Sequence, residues 1–159
     1  SFFLLTMHRQ ENIENESRFK EILNSLNKIA SELDINVIFP VHPKSQKEIK
    51  KLGIRLSSKF IIIDPVDYFD FLLLLKSSKL VISDSGGVQE ESCILGIPCV
   101  TLRENTERTE TIDIGCNILG GISYKSISTG VNIMTKKTYD WSNPFGDGRA
   151  AKRIVEAIL

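Results

Sequence analysis

Two histidines, two arginine-bearing segments and one glycine turn are the residues of this chain best suited to chemistry. The run DSGGVQEE, residues 84–91, follows an apolar stretch and precedes a helix-like one, so it reads as a strand, a glycine turn and a helix start. Gly86 and Gly87 carry no Cβ, which lets backbone approach a ligand closely. The first-turn N–H groups of the following helix point outward, and about half a positive charge sits at that helix end. A phosphate fits such a place. A plainer reading stands beside it, with Ser85 as a helix N-cap and Glu90 and Glu91 as acidic residues complementing the dipole.

The elements that must position these residues alternate by period. Strand-like apolar runs at 2–7, 37–41, 60–63, 80–82, 99–102 and 117–119 are interleaved with helical spacing at 16–33, 45–52, 68–75 and 89–95, with a weaker pattern at 125–137. In the first long helix Phe19, Ile22, Leu23, Leu26, Ile29, Ala30 and Leu33 recur at three and four. This is the signature of βαβ units, and it predicts an α/β fold: a Rossmann-like parallel sheet with helices on both faces, in a single domain over residues 1–159. After the breakers of Asn143-Pro-Phe-Gly-Asp-Gly148, residues 149–159 are expected to form a closing helix with Ile154, Val155 and Ile158 inward.

In open α/β sheets ligands lie outside the carboxyl ends of the strands, which nominates the segments that follow each strand. These are residues 7–12, with His8 and Arg9; residues 41–43, with His42; the glycine turn; and residues 103–108, with Arg103 and Arg108. Both histidines of the chain therefore fall on one rim. His8 is either a satisfied structural histidine or, beside a phosphate, a donor and proton carrier. Arg108 offers planar donors suited to a diphosphate. Phe71 is a core residue or the covering face for a nucleobase. Glu91 lies about 7.5 Å along the helix from Gly86, at about 1.5 Å per residue, which matches the span from a phosphate to a ribose diol. Polar capping alone accounts for Glu11, Asn12 and Glu107.

Composition narrows the partners. Twenty basic and twenty acidic residues cancel, without a basic block, so the electrostatic footprint of a nucleic-acid binder is missing and a small ligand is expected. No apolar run approaches the roughly eighteen residues of a membrane span, and no signal peptide is visible. Cys93, Cys99 and Cys116 show no metal-ligand spacing and read as buried free thiols of a cytoplasmic protein. Neither a metal nor a cofactor is expected. The chain opens at Ser1 directly on a strand, and we expect it to be a piece of a longer polypeptide; an in-frame stop codon just upstream would refute this.

HRQEN (8–12), DSGGVQEE (84–91), LGIPCVTLRENTER (95–108) and NPFGDG (143–148), in this order, resemble the C-terminal half of UDP-N-acetylglucosamine 2-epimerases. The resemblance covers essentially the whole chain. It implies the nucleotide-holding domain of a glycosyltransferase-B type two-domain enzyme, whose N-terminal domain is absent from this sequence. By motif match, Ser85, Gly86, Gly87 and Arg108 hold the diphosphate, Glu91 takes the ribose, Phe71 flanks the uracil, Val66 reads the uracil edge through its backbone, and His8, the one candidate catalytic residue, faces the reacting region. Arg9, Glu11 and Asn12 shape their loop. The implied reaction inverts C2 of the sugar by eliminating UDP to a 2-acetamidoglucal and adding it back. The acid and base carboxylates belong to the other half, so the isolated chain is expected to bind UDP weakly and catalyse nothing. A homodimer is implied at full length, and a role in polysaccharide or surface-glycan supply.

Two departures from the family pattern matter. Thr109 stands where a proline is usual, so Arg108 is expected to be less rigidly aimed. The loop His42-Pro43-Lys44 lacks the longer asparagine-proline form, which leaves a hydrolysing epimerase open. A nucleotide-sugar glycosyltransferase domain and a stand-alone nucleotide-binding regulatory module are open as well.

Overall fold

The computed structural model describes residues 1–159. Its strands are short and apolar: β1 (Phe2–Thr6), β2 (Asn36–Pro40), β3 (Phe60–Ile63), β4 (Leu80–Ser83), β5 (Cys99–Thr101) and β6 (Asn117–Leu119). All pair in parallel, in the order β3-β2-β1-β4-β5-β6. Alternation along the strands divides the core. Phe3, Leu5, Val37, Phe39, Leu80, Ile82 and Val100 face the cluster capped by the helices Glu16–Glu32 (α2) and Tyr124–Met134 (α7). Leu4, Val81 and Cys99 face the opposite cluster with Leu75 and Val88. The expected Rossmann-like sheet with helices on both faces is therefore the observed one.

The remaining helices in chain order are α1 (Gln10–Ile13), α3 (Pro43–Lys51), α4 (Tyr68–Ser77), α5 (Gly86–Leu95), α6 (Thr109–Asp113) and α8 (Ala150–Ile158). Local chemistry fixes their ends. Asn15 accepts from the Arg18 N–H at 3.1 Å and Asp67 from the Asp70 N–H at 2.9 Å, each capping a helix start. Gly96 ends α5 at φ 75°, in the left-handed region that glycine enters without cost. The short helices α1 and α6, of four and five residues, lie in segments read from sequence as loops, and α5 starts at Gly86, three residues before its apolar period begins.

One expectation is corrected. α8 forms where it was anticipated, but Ile154, Val155 and Ile158 do not turn inward: they are 58%, 54% and 79% exposed, and no residue of α8 is buried. Periodicity establishes that a helix has an apolar face and says nothing of what covers it. No helix is long and apolar enough to cross a membrane.

Strand order places the site. Chain progression reverses between β1 and β4, the two adjacent central strands, and ligands of doubly wound sheets bind in the crevice at such a switch point. His8 follows β1, and Ser85 and the two glycines follow β4.

Candidate functional site

At the switch point the carboxyl ends of β1 and β4 are tied together. Thr6 Oγ1 lies 2.6 Å from Ser83 Oγ, and Ser83 Oγ accepts from the Ser85 N–H at 3.0 Å. Asp84 is fully buried, and its carboxylate accepts from the backbone N–H groups of His8 and Arg9, each at 3.1 Å, and from Asn12 Nδ2 at 2.9 Å. The same carboxylate stands 3.4 Å from His8 Nδ1. The HRQEN loop is thus hung from a residue at the end of the neighbouring strand, and the exposed His8 imidazole is carried at its rim. Asn12 and Arg9 shape the loop as expected, with Arg9 Nε also donating to the Asp84 carbonyl at 3.2 Å.

The glycine turn opens α5. Ser85 occupies the N-cap position, as the plainer reading has it, but its side chain makes no capping hydrogen bond, so its hydroxyl leaves the first-turn N–H groups to another acceptor. The two glycines differ. A Cβ on Gly86 would meet Glu107 Oε1 at 2.9 Å, so a larger residue there must displace that carboxylate, whereas a Cβ on exposed Gly87 would find only Ser85 Oγ, at 3.9 Å. Gly87 is where a ligand can approach backbone.

Glu107 is held by two arginines. Arg9 Nη2 and Arg103 Nη1 each donate to it at 2.6 Å, and Arg103, largely buried, also pairs with Glu11 at 3.1 Å. Arg103, then the Glu107 backbone and Arg9, hold the Glu107 carboxyl down to about 2, from an ordinary 4.5. A depressed carboxyl stabilises the fold above its unfolded value and loses that contribution as pH falls toward the folded one. Thermal melts of Glu107→Gln are therefore expected to lie below wild type at pH 6 and to converge on it as pH falls from about 4.5 to about 2. A constant gap across that range would refute the linkage.

Arg108 forms an ion pair with Glu90 on α5. Its backbone is pinned from both sides: the N–H donates to Thr106 Oγ1 at 3.0 Å, and the carbonyl accepts from Thr111 Oγ1 at 2.7 Å. The loosening expected from the missing proline at 109 is met by these hydrogen bonds. Across the rim, Val66 and Phe71 are half-buried and line a groove of ≈ 400 Å³ together with Thr6, Pro40, His42 and Tyr68. Glu91 on α5 faces the Tyr68 hydroxyl; burial pushes its carboxyl up, and that hydroxyl draws it partly back. The candidates read from sequence thus follow the carboxyl ends of the strands in sheet order, from Val66 and Phe71 after β3, through His8 after β1 and the glycine turn after β4, to Arg108 after β5. Sequence reasoning did not single out Asp84, although a charged residue at the end of an apolar strand is the kind of signal that finds it. The structural roles of Arg103 and Gln89 were missed too. Cys93, Cys99 and Cys116 are free and buried as expected, with burial raising the Cys99 thiol to about 12.

A family model described as UDP-N-acetylglucosamine 2-epimerase matches residues 1–159. The chain is 44% identical over 161 residues to the UDP-N-acetylglucosamine 2-epimerase of Methanocaldococcus jannaschii, covering 99% of this chain and 44% of the relative. It is 46% identical over 162 residues to that of Methanococcus maripaludis, with the same coverage, and 39% identical over 161 residues to the UDP-2,3-diacetamido-2,3-dideoxy-D-glucuronate 2-epimerase of Pseudomonas aeruginosa, again over 99% and 44%. The crystal structure of the M. jannaschii enzyme in complex with UDP-GlcNAc and UDP superimposes with a TM-score of 0.92 at 44% identity, over 99% of this chain and 44% of that one. The E. coli heptosyltransferase WaaC, at 14% identity and a TM-score of 0.59 over 87% of this chain and 45% of that one, shares the fold alone. The chain spans less than half the length of the curated relatives it matches.

Proposed function

The chain belongs to the UDP-N-acetylglucosamine 2-epimerase family, and from that premise we propose that it is the UDP-holding half of an isomerase that interconverts UDP-N-acetylglucosamine and UDP-N-acetylmannosamine. The supporting observation is the open approach to the Gly87 backbone at the sheet's switch point, one residue after Gly86, whose Cβ would lie 3.8 Å from Arg108 Cζ. In this reading the uracil lies in the groove of Val66 and Phe71, the ribose hydroxyls donate to Glu91, and the diphosphate takes the Ser85 hydroxyl, the Gly86 and Gly87 N–H groups and the Arg108 guanidinium.

The chemistry asks for two things. Elimination of UDP needs a base for a weakly acidic C2 proton, and it needs donors that stabilise the charge growing on the departing diphosphate. This chain supplies the second. Of its site carboxylates, Glu11, Glu90 and Glu107 are each engaged with an arginine, Asp84 is buried beneath the loop of His8 and Arg9, and Glu91 is given to the ribose in this reading. That leaves the acid and base to an N-terminal half in a glycosyltransferase-B type arrangement, with His8 facing the reacting region across the cleft. The isolated 159 residues then bind UDP and turn nothing over; the active form is a cytoplasmic, full-length homodimer. A glycosyltransferase would transfer sugar to an acceptor without C2 inversion.

Amide NMR of the chain titrated with UDP, against ADP as control, tests this directly. Shifts gathered at Phe71, residues 85–87, Glu91 and Arg108, with UDP preferred, are expected. Equal response to both nucleotides, or shifts elsewhere, would overturn the reading. Gly87→Ala sharpens the test: its Cβ meets only Ser85 Oγ, at an ordinary contact distance of 3.9 Å, so stability is expected to hold within about 0.5 kcal/mol while UDP binding falls roughly tenfold. Unchanged affinity would remove this glycine from the site.

A further inference from the structure

Gln89 is fully buried on α5, one turn past the start of that helix, and its amide is engaged at both ends. Nε2 donates to the Ser85 carbonyl at 3.1 Å. Oε1 accepts from Thr106 Oγ1 at 2.6 Å and from Asn117 Nδ2 at 3.1 Å. Asn117, also buried, sends its other N–H to Thr111 Oγ1 at 3.0 Å and accepts from Thr101 Oγ1 at 2.9 Å. Thr106 and Thr111, reached in this way, are the residues that grip Arg108 before and after its Cα.

We propose that Gln89 is a positioning residue that fixes the glycine turn and Arg108 relative to each other, so that the two sides of the diphosphate site form one preorganised unit; this deepens, and rests on, the UDP reading above. The argument is one of connectivity. A buried amide is costly unless its polar atoms are partnered, and a well-partnered network in a low-dielectric interior rigidifies what it joins. An apolar side chain of the same length would fill the volume without those partners. What only the amide does is join residue 85 to the Thr106–Arg108 segment, which enter the site from different strand ends. Donors set before charge develops need no reorganisation when UDP departs.

The test is a titration of the native-length protein with UDP and with uridine, in wild type, Gln89→Met, Thr106→Val, Thr106→Ser, Arg108→Ala and the Gln89→Met/Arg108→Ala pair. UDP affinity is expected to fall roughly 5- to 20-fold in Gln89→Met and Thr106→Val, with uridine affinity within about twofold and Thr106→Ser restored. The double variant is expected to lose less than the product of the single losses. Should Gln89→Met fail to fold, Thr106→Val decides between coupling and its absence. Equal losses for UDP and uridine, or fully multiplicative losses in the pair, would overturn the proposal. A wild type that binds UDP no better than uridine would remove the diphosphate site itself; a wild-type preference that both single variants keep would remove only the coupling.

Discussion

Asp84→Ala is expected to lower stability by about 3–5 kcal/mol, because it leaves several inward-facing donors with no acceptor, each worth about 1–3 kcal/mol when buried and unsatisfied. The donors are the N–H groups of His8 and Arg9 and one N–H of the Asn12 amide, whose nitrogen also donates to the Leu102 carbonyl at 3.2 Å; the three converge on one carboxylate with no exposed surface. Solvent does not reach Asn12, itself fully buried, to take the carboxylate's place. For a chain of this size the melting temperature should fall by about 6–20 °C. Asp84→Asn keeps the shape but turns one acceptor oxygen into a donor facing donors, so it should lie between wild type and alanine. The loss is also positional. Freed from β4, the loop carrying His8 no longer has a fixed height over the glycine turn, and the His8 imidazole resonances should broaden or shift in a variant that still folds. A melting temperature within about 2 °C of wild type would mean that the loop is held by its other contacts and that Asp84 is not what places His8.

The bond between Asp84 and His8 also marks where sequence stops being legible. β1 and β4 could be read because both of their faces are buried, which makes Leu4-Leu5 and Val81-Ile82 continuous apolar runs rather than alternating ones. The glycine turn could be read because its chemistry is local. Asp84 pairs with a residue 76 positions away, and Gln89 and Asn117 meet across 28, distances at which no period or local propensity carries information. Strand order brings them together, and the order β3-β2-β1-β4-β5-β6 is a property of the whole sheet. The helices α1 and α6 were missed for a related reason: with one turn each they owe their existence to tertiary contacts, such as the buried side chains of Asn12 and Thr111, rather than to periodicity. Conversely α8 was visible as a helix and misjudged in its burial, since amphipathicity is written locally and the partner surface is not.

Gly86 has a structural neighbour that the sequence does not show. Sequence reasoning assigned both glycines to ligand approach. In the structure a Cβ on Gly86 would meet the Glu107 carboxylate, which the Arg9 and Arg103 pairs hold against the start of α5, while Gly87 stands open. The charged network beneath the turn is therefore part of what shapes it.

Arg108→Ala should weaken UDP binding by about 1.5–2.5 kcal/mol, the range of a charge-assisted hydrogen bond less the exposed-pair energy that Arg108 gives up with Glu90. That is roughly 10- to 70-fold. The guanidinium belongs over the glycine turn: a Cβ on Gly86 would lie 3.8 Å from Arg108 Cζ. Its planar fork matches two diphosphate oxygens, which a lysine's point charge does not, so Arg108→Lys should recover only part of the loss. Uridine lacks the groups that Arg108 addresses, and its affinity should change less than twofold, by the general insensitivity of binding to contacts that a ligand does not make. The contrast between the two ligands is the informative quantity. If uridine and UDP lose equally, Arg108 supports the walls of the uracil groove rather than the diphosphate, and the phosphate end of UDP must be sought nearer Arg9 and His8. If only UDP loses, the series from Phe71 to Arg108 is oriented as the proposed function requires, with the leaving group's charge at the β4–β5 end and the sugar directed toward His8.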